Sequence, residues 1–469
     1  MGRLRLAALI AMAVGSTVVV ALAGTSAARV PTPVRGWANL PPAARAPILA
    51  ALRRERPAFA QHGELAAAHG ARGEEFGESV AISGNTIVVG TPNYVVSSTD
   101  TEQGAAYVFV RPASGWGHAI QAAVLTARKG LAEELFGHSV AVDGNTIVIG
   151  APFRAAGNAT GVGAAYVFVR PRSGWRSATQ TGTLHVPGGR ANDFFGESVA
   201  ISANTIVVGA PGRRVGSNDM QGVAYVFDRP ATGWTGTPHA NAELTASDGR
   251  ANDAFGISVA TSGRTIVAGA DLHTNGTVAS QGAAYVYVRP ATGWAGSLTQ
   301  AAELTAKEGQ PGELLAHSLA ISQNTIVVGA PYRAIGQNAQ QGVVYVFVQP
   351  LSGWRGSLTQ TAELTASDGV KNEALGRSVA ISHQTIVCGA TFKTVGRNPE
   401  QGAVYVFVKP PSGWRDATQT EELTIAGGTA GDSLGRSVAA WGNTLIAGAP
   451  DRKVAGNLAQ GAVYAFIAP

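Results

Sequence analysis

The stretch Phe76-Gly77-Glu78-Ser79-Val80-Ala81-Ile82-Ser83-Gly84-Asn85-Thr86-Ile87-Val88-Val89-Gly90 decides the fold. Two apolar, β-branched runs flank a Ser-Gly-Asn turn, which reads as two antiparallel strands joined by a tight hairpin. The stretch returns six more times. Its head dipeptide stands at Phe136-Gly137, Phe195-Gly196, Phe255-Gly256, Leu315-Ala316, Leu375-Gly376 and Leu434-Gly435, always 59 or 60 residues from the last. Recurrence at that period means one supersecondary unit packed against copies of itself.

Outward from the hairpin, each unit adds a third strand, as in Gly104-Ala105-Ala106-Tyr107-Val108-Phe109-Val110, and a turn rich in Pro and Gly that ends at Trp116. That tryptophan recurs as Trp175, Trp234, Trp294, Trp354 and Trp414. A fourth strand, such as Ala242-Glu243-Leu244-Thr245-Ala246, completes the unit. Four short strands in meander order are the content of a propeller blade. The second and third strands are apolar on both faces, as a blade sandwiched between neighbours requires, whereas the fourth alternates like a strand half in water. The predicted fold is therefore all-β: a seven-bladed β-propeller of four-stranded antiparallel blades. An open β-solenoid is the competing architecture and would need polar caps. The ends argue for closure, because the last unit stops at Ala462-Val463-Tyr464-Ala465-Phe466-Ile467 without a fourth strand. The missing strand stands ahead of the first head motif, as Glu64-Leu65-Ala66-Ala67, and is expected to complete the last blade.

A second motif follows the hairpin as Gly150-Ala151-Pro152, Gly209-Ala210-Pro211, Gly329-Ala330-Pro331 and Gly448-Ala449-Pro450, with variants Gly90-Thr91-Pro92, Gly269-Ala270-Asp271 and Gly389-Ala390-Thr391. With the Phe-Gly heads, these repeats resemble the FG-GAP family, found in the integrin α-chain head propeller and in many bacterial extracellular proteins. The resemblance covers residues 61–469 and implies a binding or adhesion module. Integrin-type repeats often carry an Asp-rich calcium loop between the first two strands. Here those loops are tight turns such as Ser202-Ala203-Asn204, which cannot supply the six to eight oxygen ligands of calcium. No metal and no cofactor is expected.

Residues 1–28 read as a secretory signal peptide: Arg3 and Arg5 precede an apolar run over 6–23, and small residues follow at Ser26-Ala27-Ala28. A retained anchor is the alternative reading of that run; with the leader cleaved, no membrane span is expected. Residues 29–60, with Pro31, Pro33, Pro41, Pro42 and Pro47, read as a linker that could hold a short helix over 43–56, and 61–469 as the propeller. A single cysteine, Cys388, excludes an intrachain disulfide and a Cys-based zinc site. The net charge of +5 falls to 5 − 2 = +3 without Arg3 and Arg5, too little to argue for nucleic acid. A secreted or cell-surface monomer is expected.

Catalytic patterns are sparse, and no catalytic residue is assigned. Gly77-Glu78-Ser79-Val80-Ala81 has the outline of a nucleophile elbow, but a serine in the same place in all seven units reads as a small residue required by the inner strand. In a four-strand meander, the loops from strand two to three and from strand four to the next strand one share a face, where function concentrates. Acids recur there two residues before each head motif: Glu74, Glu134, Asp193, Asp253, Glu313, Glu373 and Asp432. They read as acceptors for backbone N–H groups in tight loops. Cations follow the second motif at Arg154, Arg213, Arg214, His273, Arg333, Lys393 and Arg452, with Tyr94 in the first unit. Two readings stay open for them: a ring that binds an anionic polysaccharide or acidic extracellular protein, or partners of the acid series. A third set, Glu78, His138, Glu197, His317, Arg377 and Arg436, follows the head motifs and is expected to rim a wet central channel. The expected function is recognition of protein or surface ligands through the loop face. A glycan-binding reading rests on Tyr94, Phe153, Tyr332 and Phe392 near the loops. A polysaccharide-degrading reading rests on Glu78, His138 or His317.

Overall fold

The computed structural model describes residues 59–96, 102–186 and 188–468. The leader, and all but the last two residues of the linker with its helix, lie outside the described residues. The described residues form seven sheets, and a one-turn 3-10 segment at Trp116–His118 is the helical element among them. Among the described residues, no helix is long and apolar enough to cross a membrane.

Blade one sets the pattern: Ser79–Ser83, Thr86–Thr91, Ala105–Val110 and Ile120–Thr126 pair in that order, all antiparallel. The hairpin closes on Ser83 opposite Thr86, with Gly84 at φ +57°. Second and third strands are buried on both faces, as in Thr146–Ala151 and Ala164–Val169, while the fourth strands alternate. The apolar core is divided among the blade junctions. One cluster joins Leu65, Val463 and Ala465 of the last blade to Phe76, Tyr107 and Trp116 of the first. Another joins Val207 and Leu244 to Phe255, Tyr285 and Trp294.

Ring closure takes the expected route, through Glu64 and Leu65, but with a strand that begins four residues earlier. The N-terminal strand is Ala60–Leu65, antiparallel to Ala462–Ile467 in the last blade. It starts and ends earlier than the 64–67 strand expected from the sequence, and a bulge between Gln61 and Gly63 shifts its register. Gly63 is required there, because a Cβ would lie 2.8 Å from the Trp116 carbonyl oxygen.

Four blades carry a fifth strand, which the four-strand expectation missed. Ala178–Thr179, Gly296–Leu298, Gly356–Thr359 and Ala417–Thr418 each pair in parallel with the fourth strand of the preceding blade. A recurrent glutamine strengthens this outer seam: Gln180, Gln300, Gln360 and Gln419 accept the N–H groups of Arg128, Ser247, Lys307 and Ser367 at 2.8–3.0 Å. These contacts cover edges that would otherwise offer unpaired backbone groups.

At the inner end, every serine of the head motifs bridges to the next blade. Ser79, Ser139, Ser198, Ser258, Ser318 and Ser378 donate their hydroxyls to the carbonyls of Gly137, Gly196, Gly256, Ala316, Gly376 and Gly435 at 2.6–2.8 Å. Ser437 completes the circle on Gly77. The glycine of the second motif makes room for this bond: a Cβ on Gly90 would lie 1.9 Å from the Gly137 oxygen.

Candidate functional site on the loop face

Each loop leading into a blade turns sharply before its head motif. The residue between the acid and the head adopts a left-handed conformation in every unit, with φ between +53° and +59° at Glu75, Leu135, Phe194, Ala254, Leu314, Ala374 and Ser433. Non-glycine residues hold that region only where the surroundings impose it. Here each of the seven donates its own N–H to a carbonyl in a loop of the preceding blade, and the acids brace the turn behind it. Asp193, Asp253 and Asp432 accept the N–H groups of Arg190, Arg250 and Thr429 at 2.8, 2.7 and 2.6 Å, as the sequence suggested.

The same carboxylates take the cations, at Asp193 and Asp432 through the very oxygen that accepts the backbone N–H. Arg154 meets Glu134 at 2.5 Å, Arg213 meets Asp193 at 2.6 Å, Arg333 meets Glu313 at 2.9 Å, Lys393 meets Glu373 at 2.9 Å and Arg452 meets Asp432 at 2.7 Å. In each case the partner is the acid of the same unit. The guanidiniums also donate to a carbonyl in the loop that brings the acid, from Arg154 to Lys129, Arg213 to Gly188, Arg333 to Glu308 and Arg452 to Gly427. The acids are buried, with Glu134 and Glu313 fully so. Burial pushes both these carboxyls above the ordinary range, against the pull of Arg154 and Arg333. Of the two readings left open for the cations, the geometry brings together the second: they join two loops of one blade. Arg214 stands apart, exposed and 3.3 Å from the exposed Asp219.

The first and fourth blades depart from the pattern. Glu74 is buried, with Tyr94 where the other units carry a cation, and it has no ion-pair partner among the described residues. Burial raises its carboxyl, and only the Ala71 N–H pulls the other way. In the fourth blade, His273 Nδ1 lies 2.9 Å from Asp253 and Nε2 lies 3.4 Å from Asp248. Burial would lower this imidazole, but the hydrogen bonds and charges of Asp248 and Asp253 lift it to about 9. Beside it, Arg250, Asn252, Asp253, Leu272, Thr274 and Ser280 line a cleft of about 370 Å³.

The head-following residues gather where the inner strands begin, and most are paired. Arg436 clasps Glu78 through Nε at 2.9 Å and Nη2 at 2.7 Å, across the seam between last and first blades. His138 Nε2 lies 3.1 Å from Glu197, and His317 Nδ1 lies 3.0 Å from Asp271. Burial lowers the His138 imidazole, but the hydrogen bond and charge of Glu197, joined by the charge of Glu78, raise it overall. Arg377 has no acid within ion-pair distance among the described residues and lies over the Phe392 ring at 5.8 Å. Below them, Val80, Ala81, Ile82, Val140, Ala141, Val142 and their counterparts from all seven inner strands line a central passage of about 230 Å³.

The exposed aromatics expected near the loops are mostly packed away. Tyr94 stacks edge-on to Tyr107, and Tyr332 and Phe392 are half-buried. Phe153 remains exposed while resting on Phe194. Cys388 is buried, its thiol pushed up by burial.

Seven blades, a ring closed by the chain's N-terminal strand and a repeated head motif define a β-propeller repeat protein. The FG-GAP repeat model matches the chain seven times, over residues 59–109, 120–168, 178–227, 239–287, 298–347, 358–407 and 417–466. The chain belongs to the FG-GAP repeat family. No curated protein matches it.

Proposed function

We propose that this propeller is a secreted binding module that recognises an extracellular protein through its loop face, and that it is not an enzyme. The observation that carries the reading is where its exposed apolar side chains lie. Eight of the twelve large apolar side chains exposed among the described residues, among them Leu131, Phe153, Met220, Leu272, Val370 and Leu458, sit in loops of that one face. The other four, Ile120, Val288, Leu351 and Trp441, lie elsewhere. Exposed apolar side chains gathered on one face mark interaction surfaces. The loops that carry them are held by buried ion pairs, and a preorganised surface loses less entropy on binding.

The hydroxyls of the serine series are committed to bonds between blades, which speaks against a nucleophile among them. The paired states of Glu78, His138 and His317 speak likewise against a free acid–base pair at the channel mouth. Secretion rests on the leader-like residues 1–28 and on the family's occurrence in extracellular proteins.

The test is a screen of the purified protein against extracellular proteins and a glycan array, with two variants. Phe153→Ser with Leu272→Ser and Leu458→Ser alters the loop face; Leu351→Ser with Trp441→Ser alters exposed residues elsewhere. Capture of a protein ligand that the first variant loses and the second keeps supports the proposal. Capture of glycans alone, turnover of a polysaccharide, or loss only in the second variant overturns it.

A further inference from the structure

Blade four, like blade one with Tyr94, lacks a lysine or arginine at the position where the other five blades carry one. In blade six, Lys393 Nζ sits between Asp368 at 2.7 Å and Glu373 at 2.9 Å. The corresponding acids of blade four are Asp248 and Asp253, and both are present. The ammonium is not. His273 stands there instead, its side chain almost wholly buried.

We infer that blade four binds a divalent transition-metal ion of the zinc type through Asp248, the His273 imidazole and Glu303. The ligand atoms of these three side chains lie within 4.8 Å of one another. Metal bonds of about 2.0–2.2 Å to nitrogen and carboxylate oxygen span that group after small side-chain rotations. The imidazole is already oriented for the task. Its Nδ1 is held 2.9 Å from Asp253, which leaves Nε2 directed at Asp248. A carboxylate gripping the far nitrogen of a ligating histidine is the usual support around such metals, fixing the ring and raising its basicity.

A second observation points to the same spot. The Tyr285 hydroxyl is fully buried and faces Asp248, as the Tyr405 hydroxyl faces Asp368 in blade six. Its charged neighbours are Asp248, Glu303 and Asp253. The corresponding Tyr166, Tyr345 and Tyr464 hydroxyls each have a guanidinium beside them, from Arg154, Arg333 and Arg452. Carboxylates and a phenol hydroxyl around a histidine make an oxygen-rich, anionic pocket with one nitrogen. That donor set suits zinc better than calcium, which takes six to eight oxygens. Three protein ligands leave a coordination position for water on the exposed side of Asp248. The ion would tie the loop leading into blade four, through Asp248, to that blade's outer strand, through Glu303.

The experiment titrates the untagged full chain, stripped with EDTA and dialysed, with zinc chloride by isothermal calorimetry. One equivalent is expected to bind, with a rise in melting temperature that saturates with zinc, since a ligand of the native state stabilises it by mass action. His273→Lys places in blade four the residue that blade six already uses, so it should fold and lose zinc binding at least tenfold. Glu303→Gln should weaken binding comparably, and Asp368→Asn in blade six should leave it unchanged. Should His273→Lys fail to fold, Glu303→Gln decides alone. No saturable binding by the wild type, or binding undiminished in folded His273→Lys or Glu303→Gln, overturns the inference.

Discussion

Ser437 donates its hydroxyl to the carbonyl oxygen of Gly77 at 2.7 Å, joining residues 360 positions apart. The same bond links every other pair of neighbouring blades, so this one marks where the chain's two ends become one ring. Ser437→Ala should cost about 1 kcal/mol, the usual net value of a hydrogen bond. Gly448→Ala should cost several times more, because its Cβ would lie 2.0 Å from the Gly77 oxygen. Denaturant unfolding of the two variants checks the order. Equal losses would mean the inner ring tolerates displacement.

Closure by the N-terminal strand makes a second prediction. Deleting 60–65 removes a strand from the last blade and exposes the edge of Ala462–Ile467, which should lower the melting temperature markedly and promote aggregation. Deleting 29–55 should leave the melting temperature nearly unchanged. Equal melting temperatures for the two truncations would contradict the closure.

Much of this frame is legible in the sequence because its signals are periodic. Phe-Gly heads, two-faced apolar strands and a fourth strand displaced to the chain's start need only the repeat to be seen. The fifth strands escape such reading: Ala178–Thr179 and Ala417–Thr418 are two residues long and parallel to a strand of the preceding unit, so no alternation betrays them. The ion pairs were half legible. Both charge series stand out, but only the folded loops show that Arg213 reaches back 20 residues to Asp193 rather than outward. Asp248 and Glu303 gave no separate signal, because similar acids recur at Asp368 and Glu363. Their meaning comes from His273 standing where lysine or arginine is the rule.

Glu74 provides the third prediction, through its unpaired burial. Its folded carboxyl is raised above its unfolded value, so its contribution is favourable in acid and is lost as pH rises through the folded value. Glu74→Gln removes the charge, keeps an acceptor, and should stabilise the protein at neutral pH. That advantage should shrink toward pH 4. Stability curves for wild type and variant at several pH values test it; an unchanged or lower stability at pH 7 would refute it.

Calcium supplies the fourth. The tight turns between first and second strands lack its ligands, so millimolar calcium should leave the melting temperature unmoved. A rise of several degrees would show that an acid-rich loop binds it after all.

His138 sets a pH dependence of opposite origin. Its folded imidazole is raised by Glu197 and Glu78 against burial, so its stabilising contribution is complete below the ordinary histidine value and fades as pH climbs through the raised one. His138→Gln should therefore cost more at pH 5.5 than at pH 9. A cost that does not vary with pH would mean the pair with Glu197 carries no charge.

The central claim is that the cation ring locks the loop face and leaves recognition to the uncharged residues exposed on it. The most direct measurement takes Arg154→Ala, Arg213→Ala and Arg333→Ala together and follows both heparin retention and thermal unfolding. Each substitution strands a buried carboxylate, and breaking a buried pair costs about 3–5 kcal/mol, an upper bound where the arginine is partly exposed, as Arg154 and Arg213 are. The account predicts a large fall in melting temperature with retention essentially unchanged. Retention abolished at an unaltered melting temperature would contradict it and return the ring to the role of a polyanion site.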